Sequence, residues 1–400
     1  LQTNTTMASV VKRAALATLL LVCVSGEAPA EKKDIVALSG HHHADRVLAG
    51  RWALLIDAGS TGSRMHLYEW PQRVFSELPP PISKPFTSEL WTERMSPGIS
   101  TFFEDPSKAA ASLEPLIAYA KEQLKHLEDQ WYHFPIFLKA TAGMRELPPA
   151  SCLAIMKAVR EYLAEPATCP FMFTNVEQAR VIAGEEEAAF AWAGVNFVSG
   201  ALLDSEWGTG TALPQSAFGT LEMGGASTQI AFYQPDQNVL ANLFKLQIGP
   251  SKHWNIYAHS FLQYGRVSAR SRMWSEMAKL QGCFKEPGNG AVCRLMDACL
   301  AHGFKEQPFN DVLGTVELHP PLSYKPVETN VWISPAKETK KGTANSWDAC
   351  IGQMMGPLGF QGKTKQEQNK WCNYTHLGQC SFAGVYQPSL PDADTAYGHF

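Results

Sequence analysis

Asp57 and Glu222 each end an apolar run and open a turn of small residues. The first turn is Ala58-Gly59-Ser60-Thr61-Gly62-Ser63-Arg64 and the second is Met223-Gly224-Gly225-Ala226-Ser227-Thr228-Gln229. Turns of this composition suit phosphate. Glycine lets the main chain approach a ligand, successive amides form an anion-binding nest, and hydroxyls add donors. Ser60, Thr61, Gly62 and Ser63 would serve one cradle, and Gly224, Gly225, Ala226 and Ser227 the other. The leading carboxylates, Asp57 and Glu222, are the oxygen ligands a hard cation takes, so Ca²⁺ or Mg²⁺ held through water is the expected cofactor. Arg64, Arg145 and Thr141 are further candidates for phosphate contact. For Arg64 a structural ion pair competes equally with that role.

Hydrolysis at a terminal phosphate also needs a positioned water and an acceptor for its proton. Glu185, Glu186 and Glu187 are adjacent and, on a helix, point about 100° apart, so at most one or two can face a common cleft. The residues by themselves do not choose, and a solvated acidic helix face is the plainer reading. Ser227 and Gln229 alternate on the strand leaving the second turn, so both lie on one side of it and could orient the water.

Both turns are flanked by strand-like runs, Trp52 to Ile56 with Met65 to Trp70, and Phe218 to Met223 with Ile230 to Tyr233. Strand, loop, strand excludes a Walker loop, which ends in Gly-Lys-Ser/Thr and opens a helix, and a GxGxxG fingerprint before a helix. Around the turns, Asp105 and Pro106 are expected to start a helix whose apolar face is Leu113, Leu116, Ile117, Ala120, Leu124 and Leu127. Pro135 to Ala140 reads as a buried strand. A helix follows Pro148-Pro149, Phe171 to Thr174 reads as a strand, and Val176 to about Asn196 as a helix. Strands alternating with helices indicate an α/β class.

Four motifs stand in order: Asp57 to Arg64, Ala140-Thr141-Ala142-Gly143-Met144-Arg145, Gly184 through Glu187 and Trp192 to Asn196, and Leu221 to Ile230. With Pro97-Gly98-Ile99-Ser100, Tyr257 to Leu262 and Gly384 to Pro388, they make the chain resemble the nucleoside triphosphate diphosphohydrolases, or apyrases, from about residue 50 onward. Within that family it looks most like the intracellular, Golgi-type enzymes that favour UDP. The resemblance implies an actin-like (ribonuclease H-like) two-lobed α/β fold, with phosphates gripped between the lobes. It implies metal-dependent hydrolysis of nucleoside tri- or diphosphates, with UDP, GDP and ATP as candidates. It selects Glu187 as general base, and it places Tyr397 where an aromatic residue flanks the nucleotide base. Two positions depart from the family: Glu222 stands where aspartate is usual and Ala188 where glycine is usual. The family normally continues beyond the segment matched by Tyr397 to Phe400, so the chain is expected to be a fragment of a longer product. The alternatives on the same fold are an exopolyphosphatase and a catalytically impaired nucleotide-binding or cell-surface interaction protein.

Of 400 residues 45% are hydrophobic and 18% charged, the balance of a globular protein long enough for two domains. A net charge of −4 argues against nucleic acid as a partner. Lys12 and Arg13 precede the apolar run Ala14 to Val24 and the Ala28-Pro29-Ala30 site, a secretory signal with cleavage expected after Ala30. Left uncleaved, it would be a signal anchor and the one route to a membrane. The expected organisation is signal 1–30, linker 31–49, N-terminal lobe 50–165 and C-terminal lobe 166–400, in the secretory lumen or secreted. Of nine cysteines one, Cys23, lies in the signal. An even remainder in an exported chain favours bridges. The pairings expected are Cys152–Cys169, Cys283–Cys293, Cys299–Cys350 and Cys372–Cys380, with a glycosylation sequon at Asn373-Tyr374-Thr375.

Overall fold

The computed structural model describes residues 51–70, 88, 91–202, 217–234, 241–248, 252–281, 283, 292–301, 303–308, 331–336, 347–355, 385–388, 390 and 396–399. The signal, the linker, the sequon and Cys372 and Cys380 lie outside these residues.

The first sheet comprises β1 (Arg51–Gly59), β2 (Gly62–Trp70), β3 (Thr92–Met95), β4 (Ile136–Ala140) and β5 (Ala179–Val181), in the order β3-β2-β1-β4-β5. β1 and β2 form the first hairpin, with Asp57 opposite Arg64, while β4 and β5 run parallel to β1. Helices α1 (Pro106–Ala111), α2 (Glu114–Gln123) and α4 (Pro149–Ala164) surround its core. The short α3 (Ala142–Arg145) follows β4. Alternate residues Leu54, Ile56 and Ala58 of β1 and Ile136 and Leu138 of β4 pack with Leu113, Leu116, Ile117, Ile155 and Val159. The opposite face carries a smaller cluster, Ala53, Leu55, Tyr68 and Phe137, against Phe190.

The second sheet repeats the plan. Helix α5 (Gly184–Val198) leads to β6 (Gly219–Met223), β7 (Ser227–Tyr233), β8 (Leu243–Ile248) and β9 (Lys252–Leu262), and α6 (Arg266–Leu280) follows. A small third sheet, β10 (Cys293–Asp297), β11 (Gln307–Pro308) and β12 (Val331–Pro335), packs on α6 and precedes α7 (Trp347–Met355). β13 (Ala396–His399) then returns to pair parallel with β6, giving the order β13-β6-β7-β9-β8. Acid-ended strand, antiparallel hairpin partner, third strand and a parallel neighbour on the other side thus occur in β1, β2, β3 and β4 and again in β6, β7, β9 and β13. That repetition is the expected actin-like, ribonuclease H-like architecture. α5 lies between the sheets: Phe190 joins the first sheet's cluster, while Ala188, Trp192 and Phe197 pack with Ala231, Trp254 and Ile256 of the second.

Four expectations are corrected. The helix begun at Asp105 breaks, because Pro115 has no N–H to continue it. α2 restarts around that proline, and the Asp105 side chain accepts from Ser107 Oγ at 2.5 Å rather than capping the backbone. The stretch from Val176 is a 3₁₀ turn and the strand β5 before α5 begins at Gly184, and Met172 makes only a single bridge, to Pro135. Cys152 and Cys169 are free thiols packed in the first core, whereas Cys283–Cys293 and Cys299–Cys350 are bridged as expected.

Candidate active site

The two hairpin turns face one another across a cavity of about 370 Å³. Asp57, Ser60, Thr61, Gly62, Ser63, Arg64, Thr141, Glu187, Glu222, Gly224, Gly225, Ala226 and Ser227 all line it. The turns approach closely: a Cβ on Gly225 would lie 2.3 Å from Ser60 Oγ, so a larger residue there would have to turn that hydroxyl aside. The carbonyls of Gly224, Gly225 and Ala226 accept from the amides of Arg266, Val267 and Gln263 respectively, which commits these acceptors to the start of α6 and the turn before it.

Behind the turns lies a hydrogen-bonded group. Gln229 Nε2 donates to Glu187 Oε2 at 3.2 Å, to Ser227 Oγ at 2.5 Å and to Ser260 Oγ at 3.0 Å. Arg145 Nη2 donates to the same Glu187 Oε2 at 2.7 Å. Ser227 and Gln229 therefore share one side of β7, as their alternation requires, and both are buried. The Glu187 carboxyl is pushed up to about 7, first by burial and then by the charges of Glu222 and Asp57, with Arg145 opposing. A carboxyl titrating there is suited to taking a proton near neutral pH. The other two glutamates are engaged elsewhere: Glu186 pairs with Arg180, and Glu185 lies 3.4 Å from His259 Nδ1. His66, buried with Nδ1 3.2 Å from Thr92 Oγ1, is a packing residue.

The sequence profile of the GDA1/CD39 (nucleoside phosphatase) family matches residues 48–400. The chain belongs to that family. Golgi apyrase of Saccharomyces cerevisiae is 30% identical over 398 residues, covering 86% of this chain and 60% of that protein. Ectonucleoside triphosphate diphosphohydrolase 5 of Ailuropoda melanoleuca is 32% identical over 223 residues, 55% of this chain and 47% of that protein. The chain thus spans about half to three-fifths of the length of these relatives. A crystal structure of nucleoside triphosphate hydrolases from Neospora caninum aligns with 66% of this chain and 52% of that one, at 20% identity and a TM-score of 0.42.

Two candidate residues of this GDA1/CD39 chain are not at the cavity wall. Gln229 sits behind Glu187, and Arg145 is paired with it rather than open to the cleft. Tyr397 lies on β13 with its backbone opposite Thr220. Three cationic residues that sequence reasoning missed do line the cavity: Arg94, Lys139 and Arg266. Arg94, Arg64, Asp57, Lys139 and Arg180 form one row across the five strands of the first sheet. Lys139 is 3% exposed and donates to the Glu177 carbonyl at 2.7 Å. Pairing across strands generates this row, and no local motif announces it.

The residues fit a divalent ion. Asp57 and Glu222 line the same cavity, and the charges of both act on Glu187. Ser63 Oγ, also at the cavity, is buried and lacks a hydrogen-bond partner among the described residues. No cluster of three potential ligands occurs among the described residues, so water would complete the shell of an ion held by two carboxylates.

Proposed function

We propose that this cleft hydrolyses the terminal phosphoanhydride of nucleoside di- and triphosphates. The observation that carries the reading is the bonded group of Glu187, Ser227 and Gln229 set directly beside two facing glycine turns. Ser227 orients a water, with Gln229 holding Ser227 and Glu187 from behind. The water's oxygen bonds to the terminal phosphorus as the anhydride oxygen leaves with the shorter nucleotide, and Glu187 takes the water's proton. The turn amides and the hydroxyls of Ser60, Thr61 and Ser63 hold the phosphate oxygens, with Arg64 and Thr141 beside them. Asp57 and Glu222 would hold Ca²⁺ or Mg²⁺, which would supply neutralisation of phosphate charge.

A relative named guanosine-diphosphatase, of Schizosaccharomyces pombe and 33% identical over 228 residues, supports GDP as a substrate to try, with UDP and ATP beside it. Two disulfides support a secretory-lumen location, where such bonds persist. Among the described residues no helix is long and apolar enough to cross a membrane. The test is phosphate release from UDP, GDP and ATP with Ca²⁺, with Mg²⁺ and in excess EDTA. Release with metal and none in EDTA is expected. Full turnover in EDTA would remove the ion from the scheme, and no release from any nucleotide would overturn the reading.

A further inference from the structure

Arg145 ends α3, the short turn that follows Thr141, and its side chain is only 15% exposed. Its guanidinium is already engaged by three segments. Nη1 donates to the Ile182 carbonyl at 2.9 Å, and Nη2 donates to Glu187 Oε2 at 2.7 Å and to Ser227 Oγ at 3.2 Å. Thr141 and Ala142 line the cavity, whereas Arg145 does not. From the other side Gln229 also donates to Oε2 of Glu187, and it is steadied by Ser260. Gly184 permits that approach, since a Cβ there would lie 2.4 Å from Ser260 Cβ. Both hydrogen bonds to the carboxylate therefore end on Oε2. Among the described residues none reaches Oε1.

We propose that Arg145 is a positioning residue rather than a phosphate ligand. From the first sheet's side of the molecule it pins Oε2 of Glu187 and the hydroxyl of Ser227, leaving Oε1 as the oxygen that receives the proton of the attacking water. The inference rests on the hydrolytic reading above. A fork of donors reaching three acceptors is something guanidinium does and a single ammonium does only in part. The prediction follows that Arg145→Lys keeps the pin on Glu187 but loses the bracing to Ile182.

The experiment measures kcat and KM for a nucleoside diphosphate in wild type, Arg145→Ala and Arg145→Lys, with and without added guanidinium at millimolar concentration. Loss of a group that orients the base should lower kcat by about 100-fold in Arg145→Ala and leave KM within about threefold. Arg145→Lys should fall between, and guanidinium should restore part of the alanine variant's turnover. A KM raised tenfold or more with kcat held would make Arg145 a phosphate contact and overturn the proposal. If the alanine variant does not fold, the lysine variant carries the same comparison. A wild type without turnover would sink the hydrolytic reading instead. The pin is then decided by a double-mutant cycle of Arg145→Ala and Glu187→Gln in denaturant unfolding, which needs no nucleotide. Non-additive midpoints are expected, and additive midpoints would overturn the pairing.

Discussion

Glu185, Glu186 and Glu187 follow one another on the first turn of α5, yet each meets a partner on a different element. His259 of β9 faces Glu185, Arg180 of β5 pairs with Glu186, and Arg145 of α3 pairs with Glu187. Of the three only Glu187 lines the cleft. Glu187→Gln should therefore lower turnover by roughly 10²–10⁴-fold, with nucleotide affinity little changed because the lost step is proton acceptance. Glu185→Gln and Glu186→Gln should stay within about threefold of wild type, as changes to partly exposed ion pairs do. Steady-state phosphate release alongside calorimetric binding checks both statements, and a Glu186→Gln variant as damaged as Glu187→Gln would move the base. The glutamate run was legible as a candidate, but its residues alone left three carboxylates equivalent. What separates them is the set of cations brought in by folding, and resemblance to the family stood in for that information. The same limit explains Arg145, which the second motif marks as important without saying that its guanidinium turns to a carboxylate.

The hairpins were the most legible elements, because an acid followed by small residues between apolar runs is a local pattern. β5 was not: three residues with a charged centre, Ala179–Val181, have too little pattern to separate from the helix that follows. Gly265 is a non-local case of another kind. A Cβ there would lie 2.4 Å from Ser227 N and 2.5 Å from Ala226 N and C, all backbone atoms that cannot rotate away. Gly265→Ala should force the second turn to shift, costing about 1–3 kcal/mol of stability as overpacking does, and should raise KM as the cradle is displaced. Gly352, on α7, has nothing within 4 Å of an added Cβ. Gly352→Ala should stabilise by up to about 1 kcal/mol through helix propensity alone. Denaturant midpoints for the two variants check the pair of opposite signs, and a tolerated Gly265→Ala would show that the turn is more yielding than its packing implies.

The duplicated plan of the two sheets brings the two acidic strand ends to one cleft, and a second cavity of about 250 Å³ lies beside the same turns, lined by Ser60 and Gly225 and by Glu146 and Ser268. Glu146, just after α3, is 8% exposed and accepts from Ser268 Oγ of α6 at 2.9 Å, a buried hydrogen bond between the halves of the molecule. Nothing in the sequence singled out either residue, since neither belongs to a phosphate turn and their meeting depends on how the halves dock. Burial pushes the Glu146 carboxyl up from its ordinary 4.5 to about 7, with the Ser268 hydrogen bond and the Arg145 charge opposing. Between those values the folded chain keeps a proton that the unfolded chain has released. This contribution is complete below about pH 4.5 and is lost as pH rises to about 7. Glu187, raised to about 7, acts in the same direction, so wild type carries both slopes. Glu146→Gln keeps an oxygen for Ser268 and cannot ionise. Its stability, from denaturant unfolding between pH 5 and 8, should decline less steeply than that of wild type and exceed it at the alkaline end. Parallel curves would show that the carboxyl is ionised in the fold and that the contact between the halves does not depend on its proton.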